Sequence, residues 1–185
     1  MKAPLFCGAF ILKEGGTVYI KRGKFFFITD DFYERHDSDK RLMQNKEGTH
    51  NRPCFYTFSD TQNPEILWCV PISSQVTKFR KIVEHKLAMQ KNRGIASPKC
   101  NTIRFGRVMG KEKAFLIQNM FPITERYINN VYMDPNTKKP VTIEADLEKD
   151  ICKNAQDILK LVFHGHEYLV FPDIRKIYAD LIAEL

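Results

Sequence analysis

Residues 66–93 read ILWCVPISSQVTKFRKIVEHKLAMQKNR, and the change of period inside that stretch sets the class of fold. Ile66–Val70 is a short continuous apolar run behind a turn rich in Ser, Asp, Asn and Pro, which predicts a buried strand. The period then changes. From about Ser74, Val76, Phe79, Val83 and Leu87 step by three, four and four residues, placing one apolar stripe on a helix that runs to Arg93. Gly94 and, shortly after, Pro98 stop it. A strand therefore feeds directly into an amphipathic helix, with the hydroxyls of Ser73 and Ser74 at the junction.

Upstream, Cys54–Phe58 predicts a partner strand. Lys24–Ile28 (KFFFI) predicts another, whose aromatic run implies burial on both faces. Thr29 then fits the cap of a short helix, with Asp30 and Asp31 complementing its positive end. Residues 34–52 are a long charged connection, a kind of loop that often carries function. Residues 1–22 hold two apolar runs around Gly15-Gly16, a hairpin signal. Downstream, Thr102–Val108 and Ala114–Gln118 predict a second strand pair around Met109-Gly110-Lys111. A short helix is expected after Pro122, then a polar loop from Asp134 to Pro140. The C-terminal third reads as helical. Leu147, Ile151, Ala155, Ile158 and Val162 mark one helix with acidic Glu144 and Asp146 at its start. His164-Gly165-His166 breaks it, and Pro172 fits the first turn of a last helix with the stripe Ile174, Ile177, Leu181 and Leu185. Strands followed by helices make an α+β fold, a small twisted antiparallel sheet or barrel with packed helices. The expected organisation is a single domain over 23–185 with a hairpin-like extension over 1–22.

Composition narrows the partners. The chain has 185 residues, fourteen Phe and a net charge of +7, so it can bury a core and favours a polyanion. Its cysteines (Cys7, Cys54, Cys69, Cys100 and Cys152) are odd in number and without a C-x-x-C pair, which fits reduced thiols and a cytoplasmic location. No apolar run reaches membrane-spanning length.

Between residues 77 and 99, Lys78, Arg80, Lys81, Lys86, Lys91, Arg93 and Lys99 face a single acid, Glu84. Such a ridge neutralises phosphates and releases counterions, whereas an ordinary solvated helix interleaves both signs. Hydroxyls at the start of this helix can donate to phosphate oxygens, and Lys78 can offset developing charge; as ordinary caps they would do neither. The 34–52 connection adds Lys46, His50 and Arg52. A histidine can take a proton from an RNA 2′-hydroxyl, and an arginine can clamp a phosphate at two points. His164 and His166 lack any neighbouring carboxylate or thiol and do not make a metal site. Phosphate-binding, dinucleotide, zinc-protease and nucleophile-elbow motifs are missing, so no cofactor is expected.

FFFITDDFY (25–33), NRPCFYTF (51–58), LWCVPISS (67–74) and AFLIQNMFPIT (114–124) occur in an order that resembles the ToxN/AbiQ-type endoribonuclease toxins of bacterial type III toxin–antitoxin systems, with their CptN and TenpN relatives. The resemblance spans about residues 24–183. It implies a small twisted barrel similar to the MazF/Kid toxins, elaborated with helices. It implies metal-independent, sequence-selective cleavage of cellular or phage RNA by the 2′-hydroxyl, leaving a 2′,3′-cyclic phosphate. The implied partner is a repetitive pseudoknot RNA antitoxin, held with the protein in a closed ring. Residue by residue, the resemblance places Ser73 and Ser74 on the family's hydroxyl pair and Lys78 on its following lysine. Arg52 falls on its basic strand-start residue, and Phe32 or Tyr33 on its aromatic. The proton acceptor stays open among Tyr33, His50 and a lysine of lowered pKa. A rival of another class is a non-catalytic RNA-binding module that uses the helix over 74–93.

Overall fold

The computed structural model describes residues 22–43, 45–47 and 50–185, so the hairpin expected over 1–22 lies, apart from Arg22, outside the described residues. Strand β1 (Phe25–Ile28) leads into helix α1 (Asp30–His36). Lys46–Glu47 (β2) and His50–Asn51 (β3) pair as a small hairpin, giving part of the charged connection regular structure. Strands β4 (Cys54–Ser59) and β5 (Leu67–Ser73) follow, then helix α2 (Val76–Asn92). Strands β6 (Ile103–Val108), β7 (Lys111–Leu116), β8 (Phe121–Ile123) and β9 (Ile128–Val131) complete the sheet. Helices α3 (Ala145–Phe163) and α4 (Ile174–Glu184) form the C-terminal third.

All seven residues of β5 are buried because the sheet is built around it. One edge pairs with β4; the other is shared, with Leu67–Cys69 on β8 and Ile72–Ser73 on β7. The antiparallel order is β6-β7-β5-β4-β1-β9, and the sheet stays open rather than closing into a barrel. The main core joins Phe25, Phe55, Trp68 and Phe115 to Ile151, Ile158 and Val162 of α3 and to Ile177 and Leu181 of α4. Helix α2 covers a smaller cluster of Phe79, Ile103, Ala114 and Leu116.

Several expectations shift for physical reasons. The helix predicted after Pro122 is instead β8, a single 3-10 turn (Glu125–Tyr127) and β9. Phe121-Pro122-Ile123 gains more by lying on β5 than a lone helical turn could, and β9 zips onto β1. Helix α2 begins at Val76 because Ser73 is held in the sheet. Its stripe is shallower than predicted, with Phe79 as its buried residue. Thr29 stands at the cap of α1 but makes no side-chain cap bond. Pro172 precedes the last helix, which Asp173 caps by accepting from the Lys176 N–H at 3.0 Å. Leu185 is exposed, so the stripe of α4 ends at Leu181. Phe27 is only half-buried, since one face of β1 lines a cleft. Cys54, Cys69 and Cys152 are buried free thiols, and Cys100 is a half-buried one.

Candidate active site

Strand period builds the site. On β7, Lys111, Lys113 and Phe115 share one face, and Glu112, Ala114 and Leu116 the other. Ala114 and Leu116 pack beneath α2, so Glu112 emerges beside that helix and pairs with Arg80 at 2.5 Å. Phe115 enters the main core, which leaves Lys111 and Lys113 above it. The hairpin that carries both lysines turns through Met109 (φ 50°) and Gly110 (φ 74°), and two successive positive-φ residues match the twist of the strands.

Ser74 follows β5 on the side of Ile72. There the Lys113 ammonium donates to Ser74 Oγ at 2.5 Å, across 39 residues of sequence. Lys111, Lys113 and Ser74 form one wall of a cleft of about 730 Å³. Phe27, Pro53, Ile72, Val108, Met109 and Tyr132 give the cleft an apolar lining, and Asn51 and Asn130 add carboxamides to it. Ser73 faces away, is 1% exposed, and accepts from the Gln75 N–H at 3.2 Å, which shapes the strand-to-helix turn.

The remaining sequence candidates scatter. Arg52 is 6% exposed and donates from Nη1 to the Ile72 carbonyl at 2.8 Å, bracing the backbone just before the serine pair instead of reaching out to solvent. The Tyr33 hydroxyl is buried without a hydrogen-bond partner among the described residues. Burial pushes its pKa well above the usual tyrosine value, although Arg52 pulls the other way. A phenol in that position keeps its proton at neutral pH. Lys78 is exposed, 5.7 Å from the Phe79 ring centre, and does not line the cleft. Lys46 is exposed on β2, and the backbone of His50 pairs with Glu47 in β3.

Along α2, Lys81, Lys91 and Arg93 are exposed, but two of the predicted contacts are already engaged within the protein. Arg80 is paired with Glu112 and lies 4.7 Å from the Phe105 ring. Lys86 is half-buried and donates to Thr102 Oγ1 at 2.8 Å and to Gln118 Oε1 at 2.6 Å. Burial lowers its pKa, yet its ammonium is held by Thr102 and Gln118 and does not line the cleft. No three His, Cys, Asp or Glu side chains among the described residues converge as a metal site would require. No helix among them is long and apolar enough to cross a membrane.

Of the sequence candidates Ser74 alone lines the cleft, and Lys111, Lys113, Asn51 and Asn130 were not among them. The period-2 order K-E-K-A-F-L over 111–116 was the available signal for which face the lysines take.

An open antiparallel sheet with a helical C-terminal third packed against it makes this an α+β fold. The solved structure of AbiQ, a lactococcal anti-phage endoribonuclease belonging to the type-III toxin–antitoxin system, shares that fold at a TM-score of 0.59. The match covers 88% of this chain and 98% of AbiQ at 12% sequence identity, which is a likeness of fold. No protein-family model and no curated protein sequence matches the chain.

Proposed function

We propose that this protein is an endoribonuclease toxin of the type III kind, cutting RNA without a metal ion and held silent by a repetitive RNA antitoxin. The observation that carries the reading is the Ser74–Lys113 pair in a cleft with Lys111, set in the fold shared with AbiQ. The scissile phosphate would lie against this wall. The substrate 2′-hydroxyl gives up its proton to solvent as its oxygen attacks phosphorus, the bond to the 5′-oxygen breaks, and that oxygen takes up a proton from solvent, giving a 2′,3′-cyclic phosphate and a 5′-hydroxyl. Ser74, whose oxygen accepts from Lys113, would turn its hydroxyl toward a non-bridging phosphate oxygen as the substrate binds. The two ammonium groups offset the charge that grows there. Arg52 acts behind the site, holding Ile72 and so the position of Ser74. Cellular or phage RNA is the substrate class. In the cytoplasm, the pseudoknot antitoxin would occupy the same basic surface in a closed protein–RNA ring.

The test is induction of the chain alone in bacteria, followed by mapping of new RNA ends with and without EDTA. New 5′-hydroxyl ends that persist in EDTA support the reading, and Ser74→Ala should reduce them on the order of 100-fold with an unchanged melting temperature. Growth and RNA ends indistinguishable from an empty control would refute it. RNA retention with no ends at any salt or ion condition would instead favour the binding-module reading.

A further inference from the structure

The cleft carries two kinds of polar group. Its cations, Lys111 and Lys113, stand on the β7 side with Ser74. Its lining also holds the exposed residues Asn51 and Asn130 and the half-buried rings of Phe27 and Tyr132, with β5, β4 and β1 between β7 and the β9 of Asn130 in the sheet order. Phe27 and Asn130 are cross-strand partners in β1 and β9, so the ring and the amide are held by the same pair of strands. The Phe27 and Tyr132 rings meet edge to face at 5.4 Å, which fixes both. A phosphate alone needs only the cationic wall. An aromatic floor next to hydrogen-bonding amides suits a flat group with donors and acceptors on its edge. A nucleotide has both halves, and the cleft volume lies within the roughly 300–1,000 Å³ typical of small-ligand sites.

We propose that the Phe27–Tyr132 floor holds one unstacked RNA base beside the scissile phosphate and that Asn130 reads its edge, which makes Asn130 a specificity-determining residue. The inference rests on the nuclease reading for the phosphate and extends it to the choice of sequence. A carboxamide offers one donor and one acceptor, so Asn130 selects a base edge with the complementary pair. An aspartate at that position can only accept. Asn130→Asp therefore moves the preference toward guanine, whose Watson–Crick edge presents two adjacent donors.

Binding and cutting are tested separately. On a Ser74→Ala background, affinities are measured for single-stranded RNA octamers of each base and for an abasic octamer with the same phosphates. At least one base should bind about tenfold tighter than the abasic strand, and Phe27→Leu should remove most of that difference. With Ser74 intact, Asn130→Asp should shift the mapped cleavage sites toward guanine at one fixed position next to the cut. Asn130 is exposed, so this variant keeps the fold even if Phe27→Leu does not. Equal affinity for base-containing and abasic octamers, or an unchanged cleavage map in Asn130→Asp, overturns the base subsite while leaving the nuclease reading intact. Base-dependent binding by a protein that never cuts RNA overturns the nuclease reading and keeps the subsite.

Discussion

At the scale of single residues, position in sequence and position in space disagree about which lysine serves Ser74. Lys78 is four residues away along the chain yet exposed on α2, whereas Lys113 comes from β7 and donates to the serine. An ammonium held against a hydroxyl that faces a phosphate acts in the transition state; one on an outer helix face acts through its general field. Lys113→Ala should therefore lower the rate of RNA cleavage by about 100-fold, and Lys78→Ala by only a few-fold. Neither is a core residue, so melting temperatures should hardly move. Single-turnover cleavage of one RNA by both variants decides the point, and a reversed order would return the role to Lys78.

Elements meet through a few polar contacts whose state depends on pH. His36, at the end of α1, is buried with Nε2 3.3 Å from the Tyr127 hydroxyl and 3.6 Å from Glu184 on α4. Tyr127 itself donates to both Glu184 oxygens at 2.6 and 2.8 Å. Burial lowers the His36 pKa, and this outweighs the pull of Glu184 and Asp180 in the opposite direction. The unfolded chain takes up its proton near the ordinary histidine value of about 6.5, while the folded chain resists until lower pH. In that window the unfolded state binds more protons, so the contribution is full above about pH 6.5 and is lost as pH falls through the folded value. The melting temperature should drop on acidification from pH 7.5 to 5.5, and His36→Leu should flatten that step. An equally steep step in the variant would assign the effect to other groups.

For the molecule as a whole, a net charge of +7 favours a polyanionic partner, but not every cation is available to one. Lys81, Lys91, Arg93, Lys111 and Lys113 lie on the surface or in the cleft, whereas Lys86 is spent on Thr102 and Gln118. Each phosphate contact removed should reduce the log–log salt slope of single-strand binding by about 0.7. Lys81→Ala with Lys91→Ala should thus flatten it by about 1.4. Lys86→Met should leave the slope alone and lower stability by roughly 1–2 kcal/mol, as two internal hydrogen bonds are lost. Fluorescence titrations at several salt concentrations, paired with melting curves, test both statements. A slope change in Lys86→Met would mean that this side chain leaves Thr102 and Gln118 to reach RNA.

Much of the fold was legible along the chain because hydrophobic period is a local property. The run at Ile66–Val70, the α2 stripe and the two C-terminal helices could each be read without knowing what they pack against. The serine pair could be placed too, since it marks the end of a continuous apolar run and the start of a stripe of period 3.6. What the chain could not display was pairing between distant segments. That β9 lies on β1, that β7 and β8 divide one edge of β5, and that Lys113 stands over Ser74 all depend on register. A shift of one residue would have turned Lys113 beneath α2 and Glu112 into the cleft. Burial likewise decided which charges serve the surface. Arg52 and Lys86 look like their exposed neighbours in the sequence, and only the tertiary structure puts them to work inside the protein, where an unpaired charge would be too costly to keep.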